Sequence, residues 1–417
     1  MSVASAQFLV AALLFAAGFF RLPAGNWRRH LFVVALVAFL CFSLSGLPGL
    51  AGLTVFILSG YGVARWLAKS PNPMVFGGYV VLMIAAFLVL KKYDAVRYIV
   101  PAAWLDHPIA VAGLSYILFR QIHFLTDVLQ GQVARFTLMG YVSYQLNPLT
   151  LLSGPIQRFQ DFEKFWADPQ PLLGDLHQLL CAFQRIMIGT IKVAFIGAVC
   201  LGQFESATNE ITRAMLGEFP ITRWFALSRF AEVLYLYPAY VYFNFSGYCD
   251  IVIGTGALIG MKIPENFDRP YVSRNMIDFW TRQHMSLSFW IRDYLFTPLY
   301  KAIAERLPRQ APSLVFVCYF VAFFLAGVWH GSSMNFVAFG LLHGLGVSAT
   351  KIWERLLIRR YGRTGLRSYM ESRQLRIVAV FVTLHFVCFS FLFFTPDLER
   401  TIGMLGMAAR AVLFKQI

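Results

Sequence analysis

The chain has 417 residues, of which 58% are hydrophobic and only 14% charged. A soluble globular protein carries roughly a quarter charged residues, so a soluble fold is excluded and the chain reads as an integral membrane protein. The formal net charge of +15 is explained by membrane topology and anionic headgroups, and no nucleic-acid partner is implied.

A helix that crosses a bilayer needs about 20 apolar residues. In chain order, apolar stretches run over residues 3–20, 31–44, 50–66, 74–90, 109–119, 136–152, 185–201, 225–245, 251–261, 314–328, 336–350, 377–394 and 402–414. Several are too short to span alone and are expected to be re-entrant, broken or tilted, which leaves about eleven true crossings. The first stretch imitates a signal peptide but lacks a basic leading region, so it is expected to be a retained span. Arg21, Arg28, Arg29 and His30 follow it at once. By the positive-inside rule this segment is cytoplasmic and the N-terminus lies outside. The strongest basic segment, residues 351–376, sets Lys351, Arg355, Arg359, Arg360, Arg363, Arg367, Arg373 and Arg376 against Glu354 and Glu371. It too is expected on the cytoplasmic side.

Longer loops are expected at residues 168–178 and 205–223. No internal repeat, low-complexity linker or soluble domain is visible, so residues 1–417 read as a single all-α membrane domain. The six cysteines are scattered, mostly in apolar runs, and read as small core residues rather than as metal ligands or disulfides.

Residues 266–301 are too polar for a span and too aromatic for a loose loop. Within them Arg282, Ser286, Phe289 and Asp293 follow helical spacing, which would put Arg282 and Asp293 on nearly one face. His284 would share another face with Trp280, Leu287 and Ile291. The segment is expected to be a buried or interfacial helix, polar toward a cavity; the competing reading is an amphipathic helix lying on the membrane surface.

Two histidines stand out. His330 lies in VFVCYFVAFFLAGVWHGSSMNFVAFGLLHG, otherwise almost pure hydrocarbon, and His284 lies in FWTRQHMSLSFWIRDY. An ionisable group at membrane depth is expensive and marks a functional site by default. A neutral imidazole can take the proton of an alcohol while that alcohol attacks an activated acyl group. Trp329 can wall such a pocket, Gly327 and Gly331 permit close approach, and Ser332, Ser333 and Asn335 supply polar groups just beyond. The competing reading of His330 is a hydrogen bond between helices. His343 and His385 are expected to be packing residues, and His123 to pair with Asp127 four residues on. Asp250 and Glu265 are membrane-associated acids that could position substrate or pair with Arg269 or Arg282. No phosphate-cradling loop or nucleophile elbow is present, and no helix-spaced ligands accompany the histidines, so no metal and no cofactor are expected.

FNFSGYCDIVIGTGALIGMKIPENFDRPYVSRNMIDFWTRQHMSLSFWIRDYLFTPL resembles the signature region of the bacterial membrane-bound O-acyltransferases. LSYILFRQIHFLTDV, LTLLSGPIQRF and AGVWHG resemble that family's other landmarks, in the same order, so the resemblance covers about residues 113–344. It implies a multi-helix fold around a tunnel, where a cytoplasmic acyl donor meets an extracytoplasmic acceptor. It implies His330 as the catalytic histidine and His284 as the assisting one. Trp280, Arg282, Asp293, Trp329, Asp250 and Arg158 are the expected substrate-binding residues. Two branches of the family compare with the chain, the teichoic acid D-alanyltransferases and the alginate O-acetylases. HMSLSFWIRDY and SGPIQRF look closer to the first. The expected partners are an acyl carrier protein or acyl-CoA as thioester donor, a cell-envelope polymer as acceptor, and membrane lipids, all at a bacterial inner membrane. The rival classes are a transporter or flippase and a non-catalytic assembly subunit.

Overall fold

A computed structural model describes residues 14–19, 21–22, 26–43, 47–90, 96, 98–101, 113–167, 175–218, 220–331, 333–395 and 397–413. Most of the expected first span, much of the loop expected at 168–178, the first part of the 109–119 stretch, and Ser332 lie outside these residues. Every regular element among the described residues is helical. Six helices there are long and apolar enough to cross a membrane: Ala51–Lys69, Pro73–Leu90, Leu176–Met215, Ala311–His330, Met334–Glu371 and Arg373–Phe394.

The chain divides into two compact units. The first comprises residues 1–190 and 248–265. Its helices are α1 (Asn26–Ser43), α2 (Leu47–Lys69), α3 (Pro73–Leu90), α4 (Leu114–Leu129), α5 (Leu138–Gln145), α6 (Phe159–Ala167) and α7 (Leu176–Ile191). The start of α3 is specified locally. Asn72 Oδ1 accepts from the amides of Met74 and Val75, and Pro73 has no amide to satisfy. Helix α4 is the buried centre, and Gln121 on it donates to Phe56 O of α2 (3.1 Å) and Tyr79 Oη of α3 (3.0 Å). Arg120, fully buried, donates to the carbonyls of Tyr144 (3.0 Å) and Gln145 (2.8 Å) and to Thr150 Oγ1.

The second unit comprises residues 191–247 and 266–417. It holds α8 (Ala198–Met215), most of α9 (Arg223–Leu258), α10 (Met276–Trp280), α11 (Met285–Ile291), α12 (Thr297–Arg306), α13 (Ala311–His330), α14 (Met334–Glu371), α15 (Arg373–Phe391) and α16 (Leu398–Leu413). The loop expected at 205–223 is helical to Met215. Ala207, Ile211 and Ala214 recur at helical spacing and are buried, the first two packing with Met404, Met407 and Ala411 of α16. Stretches 225–245 and 251–261 join in the single helix α9. Asn244, Ser246 and Asp250 lower its hydropathy without breaking backbone hydrogen bonds, and Pro238 is accommodated inside it. The basic segment 351–376 is also helical, except at Ser372, which separates α14 from α15, and at Gly362 (φ 69°, ψ −177°), where α14 breaks and reverses. That backbone conformation is essentially restricted to glycine.

Helices α13 and α14 pack at very short range. A Cβ on Gly327 would collide with Phe336 O, and one on Gly340 with Phe323 O. Small residues are how helices approach closely where water supplies no driving force. This contact sets the position of His330 at the last turn of α13 and of His343 on α14.

Candidate functional site

The single helix expected across residues 280–293 does not form. Helix α10 ends at Trp280 and α11 begins at Met285. Between them the backbone is drawn off by the extended segment 266–268. Met285 N donates to Asn266 O (3.0 Å), Asp268 N donates to Arg282 O (2.9 Å), and Phe267 bridges Gln283 antiparallel. The Asn266 side chain adds a second latch, its Oδ1 accepting from Ser286 N (3.0 Å) and Ser286 Oγ (2.9 Å). These bonds replace the ones that Met285 N and Ser286 N would make to the carbonyls of Thr281 and Arg282 in a continuous helix. Arg282 and Asp293 therefore do not share a helix face.

The latch holds His284 at φ 47°, ψ 50°, in the left-handed region. For a non-glycine residue this costs on the order of 1–3 kcal/mol and persists only where surrounding structure over-determines it. The His284 ring is buried, edge-on to Phe245 (4.8 Å between centroids) and to Trp329 (6.3 Å). Its Nδ1 has no hydrogen-bond partner among the described residues. Burial, and then the neighbouring His330, push its pKa down to about 3, so His284 is neutral at physiological pH.

His330 ends α13, half-buried, with Trp329 at 4.6 Å and Phe394 at 4.8 Å between ring centroids. Among the described residues no side chain hydrogen-bonds its imidazole, so both ring nitrogens are uncommitted. Asn335, fully buried just beyond, holds the following turn by donating Nδ2 to Thr395 O (2.6 Å).

The other buried histidines are committed. The Trp280 indole donates to His343 Nδ1 (3.1 Å), His343 Nε2 meets Ser390 Oγ (2.9 Å), and that hydroxyl donates to Val387 O (2.7 Å). An indole N–H only donates. Nδ1 of His343 is therefore the acceptor and Nε2 carries the proton. His123 is committed likewise in the first unit. Phe159 N donates to its Nε2 (3.3 Å), Tyr144 Oη lies 3.1 Å from Nδ1, and that hydroxyl donates to Gln157 O. The expected Asp127 is a weaker neighbour at 3.9 Å, because the ring is already satisfied. His385 lies against Phe381 O at 2.7 Å.

Of the expected site residues, Trp329 lies between His284 and His330, and Trp280 lies against His343, all in the second unit. Arg282 is held by Asp278 (2.7 Å) and Asp268 (3.3 Å), and Asp293 pairs with the adjacent Arg292 (2.7 Å). Arg158 and Asp250 belong to the first unit. There Arg185 pairs with Asp250 Oδ1 (3.1 Å) and Glu265 Oε2 (2.5 Å), so these acids meet Arg185 rather than Arg269 or Arg282. Asn266, Arg185, Asp278 and Ser390 were not singled out by sequence. Each acts on a residue many positions away or through a local bond that many residues could make. Among the described residues no group of three metal-binding side chains converges.

A family model described as MBOAT, the membrane-bound O-acyltransferase family, matches residues 79–395. The teichoic acid D-alanyltransferase of Bacillus subtilis (strain 168) is 28% identical over 378 residues, which is 88% of this chain and 90% of that protein. That of Streptococcus thermophilus is 28% identical over 350 residues, 81% of this chain and 80% of its own. A probable alginate O-acetylase of Pseudomonas fluorescens is 31% identical over 252 residues, covering 59% of this chain and 46% of that protein.

Proposed function

Since the chain belongs to the membrane-bound O-acyltransferase family, and is thus a multi-pass membrane O-acyltransferase, we propose that it moves an acyl group from a cytoplasmic thioester to hydroxyls of an extracytoplasmic cell-envelope polymer. One observation carries this reading. Of His284, His330 and His343 in the second unit, the first two keep uncommitted nitrogens among the described residues, while His343 has none to spare.

In this mechanism His330 accepts the proton of the acceptor hydroxyl as its oxygen attacks the thioester carbonyl. His284, neutral because of its burial, donates its single N–H to the carbonyl oxygen, where negative charge develops. The strained latch holds that donor in place before substrate arrives, so little reorganisation is needed at the moment of reaction. Collapse of the tetrahedral intermediate expels the thiolate, which recovers the proton from His330. The wall of Trp329 and Phe394 keeps water from competing as nucleophile.

The match along most of the length of the D-alanyltransferases supports D-alanyl as the acyl group and an acyl carrier protein as its donor. Basic cytoplasmic segments would steer an acidic carrier to the membrane face. A bacterial inner membrane is the setting this donor requires. The test is reconstitution with a polymer acceptor and either a D-alanyl carrier thioester or acetyl-CoA, across ionic strengths. Transfer from the carrier that weakens with salt and is lost in His330→Ala, with the protein still folded, is expected. Efficient transfer from acetyl-CoA alone would sink the carrier reading, and normal ester formation by His330→Ala would sink the mechanism.

A further inference from the structure

The second unit also contains a cavity of about 670 Å³ bounded by α10, α14 and α15, with none of its histidines in the lining. This volume falls in the range of roughly 300–1,000 Å³ typical of ligand sites. Its walls are apolar, with Leu357, Leu366, Val382 and Phe386 among them. The break at Gly362 creates it. The last turns of α14 fold back there, so that Leu366, Tyr369 and Met370 face the earlier Ala349, Trp353 and Leu357 across the space.

Three cations line the same cavity: Arg274, Lys351 and Arg376. Two are answered within the fold. Lys351 pairs with Glu354 (2.7 Å), and Arg274 lies 3.9 Å from Asp278 and donates to Met370 O (3.2 Å). Arg376, exposed, has no ion pair among the described residues. Beside it Trp353 donates its indole N–H to Tyr369 Oη (3.2 Å). Tryptophan, tyrosine and basic residues together are the composition of a headgroup-level belt. An apolar chamber with an unanswered guanidinium asks for a ligand with a hydrocarbon chain and an anionic head.

We propose that this cavity is a binding site for an anionic glycerophospholipid, one acyl chain within the apolar chamber and the phosphate at Arg376. A soluble organic anion would leave the apolar walls wet, and a zwitterionic lipid would bring an ammonium up to the cationic rim. None of His284, His330, Trp280 and Trp329 lines this cavity, and its occupancy does not depend on which acyl group is moved.

Native mass spectrometry of the purified full chain tests this with phosphatidylglycerol and phosphatidylcholine of matched acyl chains. Wild type should retain phosphatidylglycerol preferentially. Arg376→Gln should weaken that retention roughly fivefold, the effect of one basic residue near a membrane surface, and leave phosphatidylcholine unchanged. Ala349→Trp, placing an indole in the chamber from an exposed position, should remove the lipid adduct while thermal stability is kept. Equal retention of the two lipids by wild type, or retention indifferent to both substitutions, overturns the proposal. So does displacement of the lipid by glycerol phosphate, which would make this a phosphate site, or by phosphopantetheine, which would make it a donor site.

Discussion

Trp280 donates its indole N–H to His343 Nδ1 over 3.1 Å. This bond fixes the tautomer of His343, turns its other nitrogen to Ser390, and removes the third histidine of the cluster from the chemistry. It also ties α10, which leads into the His284 latch, to α14, which follows His330.

His343→Leu should therefore cost stability rather than chemistry. The Trp280 N–H would lose its acceptor, at about 1–3 kcal/mol for an orphaned group, while the Ser390 hydroxyl would keep its bond to Val387 O. Thermal unfolding in detergent measures the loss. Ester formation per folded molecule should stay near wild type, and its abolition would give His343 a chemical role.

His284→Ala should lower turnover on the order of 100-fold, the effect of one lost oxyanion donor, with a smaller change in donor affinity. The same residue confers acid sensitivity. In the unfolded chain it takes a proton near pH 6.5, whereas in the fold its pKa is about 3. Its contribution is complete above about 6.5 and is lost as pH falls toward 3. His284→Gln should flatten the stability profile between pH 6 and 4, by about one proton's worth of slope at most. An unchanged profile would mean that the imidazole is hydrated in solution.

Asp250 is expected to act as a staple. It lies against Arg185 at 3.1 Å with 15% of its side chain exposed. Asp250→Ala should lower the unfolding temperature, a loss of about 1–3 kcal/mol being typical when a hydrogen-bonded charge is stranded. KM for either substrate should hold. A rise in KM without loss of stability would instead place Asp250 in substrate binding.

Ser368 is exposed on the last turns of α14, in the segment with eight basic residues against two acids. Ser368→Cys should react with an impermeant thiol reagent only from the cytoplasmic side. Labelling of intact cells from outside would reverse the orientation.

Composition alone determined that this chain lives in a membrane, because so few charges cannot cover a soluble surface. The helices Pro73–Leu90 and Ala311–His330 were legible within a few residues, since unbroken apolar runs must satisfy their backbone internally. His330 and His284 were legible because an imidazole among hydrocarbon has few structural reasons to be there. The geometry that separates them from His343 was not. All three are histidines in aromatic surroundings, and only the fold brings Trp280 and Ser390, 63 and 47 positions away, to the nitrogens of His343. The break at 281–284 was equally hidden. Helical spacing persists through it, and what defeats the helix is a backbone contact from the extended segment 266–268, a long-range hydrogen-bond competition that periodicity does not record. Gly362 shows the remaining gap. A glycine among basic helix formers announces permission to bend, but where the chain goes after the bend is decided by the apolar face it returns to cover.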